Sequence, residues 1–230
     1  MLSKFRAKLV AAAALLAPTV AHAQQDVAAQ CTNFQKEVLT ELNRARADPA
    51  RYAAELRGYG RLFQANLVYE PGRPAVVTEE GVAPVEEAIA FLAQQHQVAT
   101  LADSHPLASA ALDHCAEQAS DGSVGHASAD GSGPGERMRR RGGGDYVGEV
   151  ITYGAADAAG VVRQLIVDDG VSDRGHRLLV FADDIRFAGV SCGPHPVYRT
   201  MCVIDVARTR DGRPLERSRP GYDSIAVAAR

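Results

Sequence analysis

Phe187-Ala188-Gly189-Val190-Ser191-Cys192-Gly193-Pro194-His195-Pro196-Val197-Tyr198-Arg199-Thr200-Met201-Cys202-Val203-Ile204-Asp205-Val206 decides how the chain folds. Phe187–Ser191 and Met201–Val206 carry the residue types of strands, and Gly193-Pro194-His195-Pro196 between them carries those of a turn. Folded back as a hairpin, the two runs bring Cys192 beside Cys202 and predict a disulfide there. His195, held between prolines in that turn, is expected at the surface.

Upstream, Tyr146–Tyr153 alternates as a further strand, and Asp157 can cap a helix through Val161, Val162, Leu165 and Ile166. The Gly- and Ser-rich stretch 121–144 cannot be regular throughout. Earlier still the period is helical. Phe34, Val38, Leu42 and Ala45 follow Thr32-Asn33-Phe34-Gln35, which has the spacing of a capping box. Asp48-Pro49 restarts a helix through Tyr52, Ala53 and Leu56. Val85, Ala88, Ile89 and Leu92 mark another after Pro84, and Leu107, Ala111 and Cys115 one opened by Pro106. Residues 57–83 read as a long loop, so that 57–98 forms a loop-and-helix insertion. Residues 209–230 are polar and read as a loosely held tail. Helices early and strands late argue for α+β with an antiparallel sheet.

The first residues have the order of a secretory signal. Lys4, Arg6 and Lys8 precede the apolar run Leu9–Val20, and Ala21-His22-Ala23 is a small-x-small site, which predicts cleavage after Ala23 and a secreted or periplasmic product. Residues 24–33 are then a short N-terminal segment. The apolar run is too short to span a bilayer, and no longer one follows, so no transmembrane segment is expected in the mature chain. Losing three cations moves the formal charge from −3 to −6, which argues against a nucleic-acid partner. About 200 residues remain, enough for one core. Lys36 is the single lysine left, so Schiff-base chemistry is set aside.

Four cysteines enter an oxidising compartment. Pairing Cys192 with Cys202 leaves Cys31 and Cys115, either bridged or as separate thiols, Cys115 then being a small apolar helix residue. The basic run Arg137, Arg139, Arg140 and Arg141 reads as a solvated helix end before Gly142 rather than an anion site. His114 falls on the apolar side of its helix and is expected in the core.

His-Glu-x-x-His, G-x-S-x-G, Walker and Cys-x-x-Cys patterns are absent. What remains is Gly125-His126 in a small, turn-forming stretch, Gly148-Glu149-Val150 in an apolar strand, and Arg174-Gly175-His176-Arg177 after the acidic turn Asp168-Asp169-Gly170. A carboxylate in an apolar strand must be paired, neutralised or metal-bound. Imidazoles with carboxylates can ligate a divalent cation or make an acid–base pair. The other reading is structural, with Glu149 satisfied by backbone donors and the histidines bonded at helix ends.

The order of these motifs resembles the CAP superfamily, the cysteine-rich secretory, antigen 5 and pathogenesis-related group, and most of all its bacterial SCP-like branch. Glu41-Leu42-Asn43-x-x-Arg46-x-x-Pro49 resembles the first-helix pattern. Gly125-His126-x-x-x-Asp130-Gly131-Ser132 with Arg137 after it resembles the first histidine motif, Gly148-Glu149-Val150 the Gly-Glu-Asn motif, and Gly175-His176-Arg177 the second histidine motif. The resemblance runs through residues 34–208 and implies a three-layer α-β-α sandwich with a central groove. It places His126, Glu149 and His176 in that groove. Asp168 is the best match for a fourth, acidic member, with Asp169 as the neighbouring alternative. The family's Trp before the second histidine motif is missing, and Val150 replaces Asn.

The expectation for function is a binding module whose groove takes a divalent cation such as zinc, a lipid or a peptide, with His126 and His176 as the metal ligands. No cofactor is required by this reading. The alternative is a hydrolase acting on peptide or ester bonds through the His/Glu cluster, and a third reading is a disulfide-stapled scaffold with an idle groove. No residue is assigned as nucleophile, since Ser128 and Ser132 have the simpler role of turn residues.

Overall fold

The structure, a computed structural model, describes residues 33–215. The expected signal sequence 1–23, the Cys31 pairing, the Thr32 cap and the tail beyond residue 215 lie outside the described residues.

Helix α1 covers residues 33–47 and α2 Pro49–Gly60. Short strands β1 (Phe63–Gln64), β2 (Leu67–Val68) and β3 (Val76–Val77) form a small antiparallel sheet of their own. Then come α3 (Ala83–Gln94), β4 (Ala102–Asp103), α4 (His105–Asp121), α5 (Pro134–Arg140), β5 (Gly148–Tyr153), α6 (Ala158–Val167), α7 (Gly175–Val180), β6 (Phe187–His195) and β7 (Arg199–Ala207). The main sheet has the order β4-β6-β7-β5. The architecture is α+β. The expected antiparallel pairing holds for β5–β7 and β6–β7, but β4 runs parallel to β6 and makes that edge mixed.

Strand alternation builds the layers, because successive side chains leave a strand on opposite faces. Val150, Ala188, Val190, Cys202, Ile204 and Val206 pack with α1, α2, α3 and α6 on one face. Ile151, Met201 and Val203 meet Ala111 and Cys115 of α4 on the other, and Ala207 meets Leu107, Ala110 and Met138. Helices therefore cover both faces of the sheet. The approach of α4 to β6 requires glycine: a Cβ on Gly189 would lie 1.9 Å from the Ala108 amide nitrogen.

Caps start the helices where the sequence puts them. Asp48, Ser104 and Asp157 accept from the amides of Arg51, Leu107 and Gly160. Two residues of the first-helix motif tie segments distant in sequence. Asn43 brackets Leu101, donating to its carbonyl at 2.9 Å and accepting from its amide at 2.6 Å. Arg46 is wholly buried and donates to the carbonyls of Ala99, Val180 and Ala182; burial pulls it down to about 10. Arg177 closes the end of α6 in the same way, through the carbonyls of Ile166 and Val167.

Cys192 and Cys202 stand opposite each other in the β6–β7 register and are joined, with Cα atoms 4.1 Å apart. The hairpin is longer than the prolines suggest. β6 continues to His195 and pairs it with Arg199, so the turn is 196–198. His195 is consequently not at the surface. It is 2% exposed, with its ring 5.3 Å from Tyr153 and 5.2 Å from Tyr198, and its Nε2 is 3.0 Å from the Ser123 carbonyl. The start of the tail is also held, against expectation. The carbonyls of Asp211 and Gly212 accept from the amides of Gly144 and Tyr146, and a Cβ on Gly144 would lie 2.3 Å from the Gly212 oxygen. Residues 57–83 are not simply a loop: α2 extends to Gly60 and the three short strands follow.

Candidate functional site

His126 sits on the loop between α4 and α5, placed by a polar network below it. The Gly125 carbonyl accepts from Gln118 at 2.7 Å and lies 2.8 Å from His114 Nε2, while its amide donates to the Tyr153 hydroxyl at 2.9 Å. Gly125 has φ +91°, a conformation that suits glycine. His114 is in the core, as read from its helix, and serves this network.

Glu149 enters from the start of β5. Its side chain is 1% exposed, and each oxygen has a partner: Oε1 lies 2.9 Å from His126 Nδ1, and Oε2 accepts from Arg137 at 2.6 Å. Burial pushes this carboxyl up, but the hydrogen bond with His126 and the charge and hydrogen bond of Arg137 outweigh it and hold Glu149 below its usual value. Arg137, 2% exposed, also donates to the His126 carbonyl, the Ser128 hydroxyl and the Ser132 carbonyl. One guanidinium therefore fixes both the loop and the carboxylate. The other members of the basic run are each ion-paired: Arg139 with Glu136 and Asp145, Arg140 with Asp130, Arg141 with Asp113.

The second pair is built from a turn. Asp168 ends α6 at φ 62°, a left-handed position that Asp tolerates better than most residues. From there Oδ2 accepts from the amides of His176 and Arg177 at 3.0 and 3.1 Å, and Oδ1 lies 2.7 Å from His176 Nδ1. Asp169 goes elsewhere: its carboxylate accepts from the amides of Glu79 and Glu80. Glu80 in turn accepts from Gly170 and grips Arg174, which also binds Glu87. The insertion thus clamps the turn that carries Asp168 and His176.

The structure brings His126 and His176 together, with ring centroids 6.2 Å apart and side chains 50% and 24% exposed. Each Nδ1 faces a carboxylate. A carboxylate accepts, so Nδ1 carries the hydrogen and the neutral ring keeps its lone pair on Nε2. Both carboxylates are engaged behind the rings. Among the described residues, no group of three or more His, Cys, Asp or Glu side chains is arranged to hold a metal ion. The donor set at this site is two imidazoles.

Sequence reading missed the roles of Arg137 and Asp205. Asp205 lies directly across from Glu149 and is wholly buried. The signal for it was available, since Asp205 is also a carboxylate inside an apolar strand.

No family model and no curated protein matches the chain. Among solved structures, an extracellular protein containing a SCP domain from Bacillus anthracis is similar, with 19% identity over 56% of this chain, 38% of that chain, and a TM-score of 0.41. An outer surface protein from Borrelia burgdorferi is similar with 14% identity over 49% of this chain, 80% of that one, and a TM-score of 0.41. The chain thus spans well under half the length of the Bacillus protein. In class, the chain is an α+β domain in which His126, Glu149, Asp168 and His176 meet at one place. Among the described residues no helix is long and apolar enough to cross a membrane.

Proposed function

We propose that the mature chain is an exported binding domain whose His126 and His176 seat a divalent cation, leaving further coordination positions for water or for an anionic group of a ligand. The observation that carries this reading is the pair of imidazoles, 6.2 Å apart, each with Nδ1 turned to a carboxylate. A carboxylate behind Nδ1 fixes the tautomer and makes Nε2 a better ligand. Two protein ligands do not make a closed structural site, which fits an exchangeable cation rather than a resident one. Export rests on the order of charges and apolar residues in 1–23. The hydrolase reading has imidazole bases in His126 and His176 but no assigned nucleophile, since both Glu149 oxygens are engaged and the Ser128 hydroxyl accepts from Arg137.

Calorimetric titration of the chain from Gln24 with zinc tests the proposal. One zinc per chain is expected, with affinity falling at least about tenfold in His126→Ala or His176→Ala, and falling as acid protonates the imidazoles. Undiminished binding in the double variant would overturn it.

A further inference from the structure

Asp205 of β7 faces Glu149 of β5 across the ladder, on the side of the sheet covered by α4 and α5. It is 0% exposed, and neither of its oxygens has a hydrogen-bond partner as an acceptor. The charged groups around it come from three elements. Glu149 lies on β5 and Arg137 on α5, and α4 brings the buried His114. β6 places Gly189 opposite it.

One guanidinium thus meets two carboxyl groups in a place closed to water. Two ionised carboxylates cannot share one cation there, because each buried charge needs its own compensation. Glu149 already accepts from Arg137 and pairs with His126, so Glu149 keeps the charge and the remaining proton belongs to Asp205. Burial first, and then the charge of Glu149, push the Asp205 carboxyl well above its usual value.

We infer that Asp205 is a neutral acid whose O–H donates to Glu149, making it the positioning residue that holds Glu149 against His126. The hydrogen bond also satisfies the buried group that otherwise has no partner. The inference goes beyond the cation proposal and does not depend on it.

Two measurements on the full mature chain test it. The carboxyl carbon resonance of Asp205 is expected at its protonated position at neutral pH. The unfolding constant of the wild type, divided by that of Asp205→Asn, is expected to rise about tenfold per pH unit above the unfolded carboxylate range, because the folded wild type holds one proton more than the unfolded chain. Asn keeps a neutral donor, so the His126 Nδ1 proton resonance should persist in Asp205→Asn and be lost in Asp205→Leu. An ionised Asp205 resonance, parallel pH curves, or a Leu variant that retains the Nδ1 proton signal would each overturn the inference. The carbon resonance is read on the wild type, so the inference stays testable if a variant fails to fold.

Discussion

His126–Glu149 and His176–Asp168 reach the same local geometry by different means. In the first pair the histidine is on a loop and half in solvent, while its carboxylate comes from strand β5, 23 residues away, charge-balanced by a buried arginine. In the second the partners are 8 residues apart, and the carboxylate is satisfied by two backbone amides rather than by a cation. The difference teaches where each pair is vulnerable. The first depends on long-range charge balance, the second on the local shape of one turn.

Breaking the first pair should cost most. Arg137→Met removes the partner of a buried carboxylate and frees the loop carbonyls, and about 3–5 kcal/mol of stability should be lost in denaturant unfolding. A loss below about 1 kcal/mol, the scale of an exposed ion pair, would show that Glu149 does not need the guanidinium.

The second pair should yield more gently. Asp168→Ala leaves two amides and an imidazole without their acceptor and puts Ala in a left-handed position, for about 1–3 kcal/mol. Asp168→Asn keeps one acceptor and tolerates the backbone, so it should lose less stability. If Asn proves as damaging as Ala, charge rather than hydrogen-bond geometry governs this pair, and the contrast with Glu149 disappears.

The clamp behind the second pair should give the smallest effect. Hydrogen bonds from Arg174, then from Gly170, hold Glu80 down to about 2. A depressed carboxyl contributes stability that is complete above its unfolded value, about 4.3 for Glu, and is lost as pH falls through its folded value. Glu80→Gln should therefore be slightly less stable than the wild type at neutral pH, with faster amide exchange confined to 169–174. The two proteins should converge near pH 2. A difference that persists in acid would assign the effect to shape rather than charge.

Much of this was legible in the residues. The period of Phe34, Val38, Leu42 and Ala45, the caps Asp48 and Asp157, and the facing of Cys192 with Cys202 are all local properties, read from spacing and residue type. The oddity of Glu149 was legible as well. Its partners were not. Arg137 read as one member of a solvated run, yet one turn of a short helix sends it inward while Arg139, Arg140 and Arg141 remain on surface acids. His195 read as a turn residue because the prolines hid three further rungs of the ladder. Residues 209–213 read as loose because nothing local shows that Gly144 lies open to receive them.

By itself, then, the sequence determined the element types, the α+β class, the hairpin disulfide and the set of groups that could not remain unpaired, since propensity, capping and burial costs act over a few residues. Tertiary structure alone decided which group answers which: Arg137 for Glu149, Asp168 rather than Asp169 for His176, and Asp205 across the ladder from Glu149. The physical reason is register. A shift of one residue in a strand, or 100° of rotation on a helix, turns a side chain from the core to solvent, and only the packed sheet and its covering helices fix that choice.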